Sequence, residues 1–226
     1  MKAKKGETPV LALPTDRRDR EKMIKVVEQA ADVIKKGGVV VTPTETSYAL
    51  AADATSEAAV KKIIELKSGK LEKRGISIIV SDLRMAKNYT KLEPEAEFLA
   101  QSFMPGPLTL IVDKQNLAET ISDSGIAFGI SGNLVARLLS QESELPITAT
   151  GAHAAGEPPV YKIEEVKQKF NGKVDLIIDG GNLPPVMPAT VLDMREKPPK
   201  IVRDGPLSSK EILSQLEYFR QQRGEK

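Results

Sequence analysis

Apolar residues recur along the chain at two spacings, and the changes between them divide it into elements. Between Arg17 and Lys36, Met23, Val26, Val27, Ala30, Val33 and Ile34 fall three and four residues apart, which predicts an amphipathic helix closed by Gly37 and Gly38. Val39, Val40 and Val41 follow as an unbroken β-branched run stopped at Pro43, the pattern of a buried strand. Thr55 and Ser56 suit the cap of a helix running to Leu66, with Val60, Ile63 and Ile64 on its apolar face and Lys61 and Lys62 opposite. These segments read as a β-then-α unit.

The same reading carries on to the end of the chain. Strands are expected at Ile76–Val80, Leu108–Val112, Ile126–Ile130, after Pro146 and at Val174–Gly181, with helices at Ser81–Tyr89, Pro94–Phe103, Asn133–Ser140 and Ile163–Phe170. Met104 to Pro107, MPGP, is a rigid bend that positions the strand behind it. The stretch from Ala189 to Met194 and that from Lys200 to Arg203 are joined by a link too short for a crossover helix, so they should pair antiparallel and make the sheet mixed. A helix over Ser208–Phe219 ends the chain, and Glu7 to Asp16 holds a short apolar segment suited to an edge strand. The expected division is an N-terminal extension (1–16), an α/β domain (17–207) and a C-terminal helix and tail (208–226).

Composition narrows the chemistry. A chain of 226 residues, 40% of them hydrophobic, can bury one substantial core, and it contains no twenty-residue apolar run and no charged-then-apolar leader, which places it in the cytosol, away from membranes. With no cysteine, disulfides, thiolate metal sites and a cysteine nucleophile are excluded, and the single histidine, His153, cannot build a histidine-rich metal site. A balance of 33 basic against 31 acidic residues is too even to mark nucleic-acid binding, so any basic surface must be local.

Three stretches carry candidate chemistry. Thr44, Glu45, Thr46 and Tyr48 stand at the carboxyl end of the valine strand, where open α/β sheets bind ligands; the competing reading is that their hydroxyls satisfy local turn hydrogen bonds. Between Lys61 and Arg74, six basic residues (Lys61, Lys62, Lys67, Lys70, Lys73, Arg74) face two acidic ones, suiting a phosphate or an RNA backbone, or else simply a solvated helix end. In PITATGAH the small residues from Ala149 to Ala152 permit close approach to the backbone, Gly151 offers an amide, and His153 suits phosphate contact or acid–base work, against the plainer role of a structural histidine. No Walker A sequence, nucleophile elbow or Rossmann fingerprint is present.

The order of segments from about Ala30 to Leu207 resembles one family, the YrdC-like threonylcarbamoyl-AMP synthases. PTETSYALAADA is similar to the family's PT(D/E)TVYGLG(A/C)DA, FMPGPLTLIV to F-x-PGPLTLVL, PITATGAH to PLxATSAN, and VDLIIDGG, ATVLD and KIVRDGPLS to VDLIxDGG, STVVD and xILRxGxIS. The resemblance implies a YrdC-like twisted open mixed sheet flanked by helices. It also implies synthesis of threonylcarbamoyl-AMP from L-threonine, bicarbonate and ATP, with magnesium brought by ATP, no protein-held metal, and tRNA or double-stranded RNA as a macromolecular partner.

Carried over by position, the resemblance implies Lys67 as a catalytic group that also holds the nucleotide with Arg203; Lys70, a second catalytic candidate, and His153 are the expected replacements for lost family groups and, with Gly151, would also meet the nucleotide. The same alignment implies Thr44, Thr46, Ala149, Thr150 and Ala189 as substrate-binding residues. This chain departs from the family pattern where the arginine of GVRVP aligns with Gly129, the serine and asparagine of S-x-N with Gly151 and His153, and the serine of STVVD with Ala189. The arginine of K-x-R is also missing, with Gly69 and Lys70 in its place and Arg74 further on. Two functions therefore stand open: a synthase with an altered pocket, or a divergent paralogue that binds nucleotide or RNA without making the adenylate.

Overall fold

The computed structural model describes residues 6–16, 18–68 and 75–224. The valine run does form a strand, β2 (Val40–Pro43), but the chain turns at once over Thr44–Ser47 and returns as β3 (Tyr48–Ala51), antiparallel to it. The expected β-then-α unit is thus a hairpin followed by a helix, α2 (Glu57–Leu66), which Ser56 caps by accepting from the Ala59 amide. The turn is built by Thr44: its Oγ1 accepts from the Thr46 and Ser47 amides at 3.1 and 3.2 Å and donates to the Ser47 carbonyl at 2.7 Å. An apolar stretch interrupted by such a turn carries two short strands where one was expected.

The strands form two mixed sheets. One runs β1 (Val10–Ala12), β10 (Leu176–Asp179), β2, β3 and β9 (Thr150–Gly151). The other runs β12 (Lys200–Arg203), β11 (Thr190–Asp193), β6 (Leu108–Lys114), β7 (Ile126–Gly129), β4 (Ile78–Ile79) and β8 (Ile147–Thr148), with β5 (Thr90–Lys91) added beside β6. β11 and β12 pair antiparallel, as the short link between them requires, while β11 and β6 pair parallel. The chain passes from one sheet to the other at Ala149, between β8 and β9, and Thr148 stitches the crossing by donating to the Leu50 carbonyl and accepting from the Ala52 amide.

Alternation along the buried strands assigns each face its cover. Val40, Ala51, Leu176 and Ile178 pack under α1 (Arg20–Lys35) and α5 (Leu134–Ser143), while Val41, Leu50 and Ile177 face the larger core, which also takes the apolar face of α2. The flanks are built in: β1 pairs with β10, and α7 (Ser209–Gln222) lies against α4 (Pro94–Phe103) through stacked Phe98 and Phe219 rings and an Arg220–Glu95 ion pair. Two further helices, α3 (Leu83–Tyr89) and α6 (Ile163–Phe170), complete the cover. No helix among the described residues is long and apolar enough to cross a membrane.

Candidate functional site

Where the chain changes sheets, the two sheets leave a cleft of about 230 Å³ between the β2–β3 turn, the starts of β4 and β6, the end of β7, the Ala149–His153 segment and the strap before β11. Its lining brings together Thr44, Thr46, Ala149, Thr150, Gly151, His153, Ala189 and Arg203, which are far apart in sequence. Sheet registry explains the convergence. β9 pairs with β3, so Gly151 stands opposite Ala49 next to the turn, and Thr190 follows Ala189 into register with Leu108 at the start of β6.

These residues differ in what they offer. The Thr44 hydroxyl is spent on its turn, whereas Thr46, half-buried, carries a hydroxyl 3.1 Å from it at the cleft surface. Arg203 is exposed at the rim, with Nε and Nη2 donating to the Ala189 carbonyl at 3.1 and 2.9 Å. Ala189 and Gly151 contribute backbone and small surface, as sequence suggested for this segment. His153 holds its ring by Nδ1, 3.0 Å from the Ala154 carbonyl.

Lys67 lies elsewhere. It is 1% exposed at the end of α2, and its ammonium donates to the carbonyls of Gly151 and His153 at 3.2 and 2.9 Å. A buried ammonium needs such partners, so the side chain braces the wall of the cleft from within the fold. Lys70, Lys73 and Arg74, half of the window's basic residues, lie outside the described residues. Within the window, Lys62 donates to the Gly37 carbonyl at 2.8 Å.

Tyr48 is also withdrawn from the site. Fully buried, it donates to the Gly181 carbonyl at 2.7 Å and accepts from the Gly180 amide at 3.0 Å, and burial pushes its hydroxyl pKa up to about 12. Its bonds fix the glycine turn after β10.

Four further cleft hydroxyls escaped sequence reasoning, whereas Glu45 is one of the residues the sequence sets at the strand end. Ser77, Thr109, Ser131 and Tyr161 add hydroxyls, and the Glu45 carboxylate reaches across the cleft to accept from the Ser131 hydroxyl and, at 3.4 Å, from the Gly132 amide. Thr109 alternates with apolar neighbours along β6, a pattern that marks the other sheet face without saying that the face is a binding surface. Glu45 thus links the hairpin turn of one sheet to the loop after β7 of the other. Among the described residues the cleft surface is rich in hydroxyls and carries the Glu45 carboxylate, the His153 imidazole and the Arg203 guanidinium, which suits a polar ligand that carries both hydrogen-bond donors and an anionic group. A second recess of about 630 Å³, lined by Lys62, Glu65, Lys169, Lys173 and Asp175 among others, shares His153 as part of its wall.

A domain of two mixed sheets with a polar cleft at their junction is the class of protein this geometry defines. The Sua5, YciO and YrdC family model, described as "Telomere recombination", matches residues 32–205, and the chain belongs to that family. A threonylcarbamoyl-AMP synthase of Pyrococcus abyssi is 37% identical over 186 residues, 81% of this chain and 55% of the relative. One of Bacillus subtilis is 33% identical over 191 residues, 82% of this chain and 55% of the relative. The chain therefore spans about half the length of these curated relatives.

Among solved structures, P. abyssi Sua5 complexed with L-threonine superposes with a TM-score of 0.81 at 32% identity, covering 92% of this chain and 60% of that one. Escherichia coli YciO superposes at 0.77 with 24% identity, covering 91% and 98%, a likeness of fold. The expected α/β class with a mixed sheet flanked by helices holds, with the strands divided between two sheets.

Proposed function

We propose that this chain binds L-threonine and ATP at the cleft and, with bicarbonate, forms threonylcarbamoyl-AMP for adenosine modification in tRNA. The observation that carries the reading is the convergence of Thr46, Thr150, Gly151, His153 and Arg203 in one cleft, in a chain whose relatives bear the synthase name. The P. abyssi relative solved with L-threonine supports an amino acid as one ligand. The cleft is small beside ligand pockets of roughly 300–1,000 Å³, so the nucleotide extends over the rim, where Arg203 stands.

In this reaction bicarbonate yields carbon dioxide and hydroxide, the threonine amine adds to the carbon dioxide to become a carbamate, and the proton it loses leaves with the hydroxide as water. A carbamate oxygen attacks the α-phosphorus, the bond to the β-phosphate oxygen breaks, and pyrophosphate leaves with the electron pair. Positioning and charge neutralisation are the protein's tasks. Thr46 and Thr150 orient the amino acid, Gly151 and His153 meet a bound substrate, Lys67 sets the wall that carries them, and Lys70 adds charge. Magnesium arrives with ATP and neutralises its phosphates.

A second reading, a paralogue that binds nucleotide or RNA without making the adenylate, is favoured by Gly129, Gly151 and Ala189, which place no polar side-chain atom in the cleft. Loss of several hydrogen bonds at about 1–3 kcal/mol each weakens a ligand by orders of magnitude. Incubation with ATP, magnesium, bicarbonate and L-threonine, with L-serine as control, separates the two. Pyrophosphate release with a threonine-bearing adenylate in the mass spectrum supports the synthase. ATP binding without product, or RNA binding with a steep salt dependence and no turnover, supports the paralogue.

A further inference from the structure

The two departures in PITATGAH, Gly151 and His153, prove to be one feature in space. An ideal Cβ placed on Gly151 would lie 2.2 Å from His153 Nε2 and 2.5 Å from its Cδ2, distances that real Cβ atoms do not show. The imidazole edge therefore occupies the volume that any side chain at 151 would need. A serine at 151 and this histidine rotamer are mutually exclusive.

The ring is set on firm ground. Ala152 between the pair is fully buried and donates its amide to the Tyr48 carbonyl at 2.8 Å, the His153 amide donates to the Gly151 carbonyl at 2.8 Å, and the His153 carbonyl takes the Lys67 ammonium at 2.9 Å. Nδ1 faces the Ala154 carbonyl, which can only accept, so Nδ1 carries a proton. Nε2 makes no hydrogen bond to the described residues, and its residue lines the cleft. In the neutral ring Nε2 is an acceptor, so the ligand group that suits it is an N–H or O–H donor.

We propose that Gly151 and His153 act as a single ligand-contacting element, in which the glycine vacates the space, the imidazole fills it, and Nε2 accepts a hydrogen bond from an N–H or O–H group of the bound substrate. Resting on the synthase reading above, it names the contact that stands where S-x-N stands in the family pattern. The donor belongs either to the amino acid, as ammonium or hydroxyl, or to the nucleotide, as ribose hydroxyl or exocyclic amine.

The test is a cycle of Gly151→Ser, His153→Asn and the double variant, with calorimetric binding of L-threonine and of a non-hydrolysable ATP analogue measured separately and melting temperature alongside. Each single variant should lose about tenfold in affinity for the ligand that donates to Nε2, the scale of one buried hydrogen bond. The double variant should return to within about threefold of wild type, because serine and asparagine then occupy the space together. Gly151→Ser should lower the melting temperature while His153 is in place and not when combined with His153→Asn, whereas His153→Asn alone should leave it unchanged.

Loss of affinity for threonine alone assigns the donor to the amino acid, and loss for the analogue alone to the nucleotide. Additive losses in the double variant, or His153→Asn binding both ligands as wild type does, would overturn the proposal. Wild-type protein that bound neither ligand would overturn the synthase reading instead, and the melting-temperature cycle would still decide whether the two residues are coupled.

Discussion

Lys67 and His153 are joined through the backbone: the buried ammonium lies 2.9 Å from the His153 carbonyl oxygen, and the same ammonium reaches the Gly151 carbonyl at 3.2 Å. A lysine read from sequence as a phosphate ligand thereby braces the segment that faces the ligand. Lys67→Met keeps the aliphatic stem and removes the charge, leaving carbonyls short of a donor, at a cost of about 1–3 kcal/mol. Chemical denaturation should show this loss together with weaker binding of threonine and nucleotide. Loss of nucleotide affinity at unchanged stability would instead mean that the ammonium leaves the carbonyls to meet a phosphate.

Tyr48→Phe tests the far side of the same hairpin. The hydroxyl bonds both Gly180 and Gly181, so its removal should cost about 1–2 kcal/mol. Burial keeps the phenol neutral in the fold up to about pH 12, while in the unfolded chain it ionises near its ordinary value of about 10. Its stabilisation is therefore complete below the unfolded value and is lost as pH rises through the folded one. Alkaline unfolding monitored by circular dichroism should be shallower in the phenylalanine variant.

Much of this architecture is legible in the sequence, and the gaps have local causes. Helical periodicity locates α1, α2, α4 and α6 because each buries one stripe, and the short link after Met194 dictates the antiparallel β11–β12 pair. The hairpin at Thr44 is hidden because every residue of β2 and β3 is buried, so no polar alternation marks the return strand. The division into two sheets rests on the crossing at Ala149, where a two-residue strand in each sheet is too short for any periodicity to register. In the cleft, the motif segments are legible as motifs, but which side chains face ligand is set by registry: the same stretch turns Thr46 outward and spends Thr44 and Tyr48 inside the fold.

Asp193 closes β11 by accepting from Arg195 Nε at 2.9 Å and from Nη2 at 2.6 Å, and that pairing holds its carboxyl below the usual carboxylate range despite burial. A depressed folded pKa stabilises the protein above the unfolded value of about 4, and the contribution is lost as pH falls through the folded one. Asp193→Asn should lower stability at neutral pH and flatten the acid limb of the stability profile. A variant whose stability falls as steeply as wild type's below the unfolded value of about 4 would place the acid transition on other carboxylates.

Glu45→Gln tests the link across the cleft. The amide keeps the shape but weakens acceptance from the Ser131 hydroxyl and the Gly132 amide, which hold the loop after β7 against the hairpin turn. Threonine affinity measured by calorimetry should fall about three- to tenfold, with the greater part in faster dissociation as the cleft opens more readily. Unchanged affinity would mean that the two sheets hold the cleft without this bridge.

Gly129→Arg asks whether the cleft still accepts the arginine of the family's GVRVP segment. A Cβ at this position would lie 3.2 Å from the Leu108 carbonyl oxygen and 3.9 Å from Thr109 Oγ1, so β6 must yield by a few tenths of an ångström before the side chain fits. Because the tighter neighbour is backbone, the variant should lose about 1 kcal/mol of stability, the low end of overpacking costs. A guanidinium at the end of β7 would add charge to the cleft that Arg203 also lines, and it offers bidentate contact to a phosphate or carboxylate. Stability and affinity should therefore move in opposite directions, with nucleotide binding about tenfold tighter as melting temperature falls. Tighter binding with faster adenylate formation would show that glycine at 129 limits the reaction. A stability loss with no gain in affinity would mean that this chain seats its nucleotide away from β7.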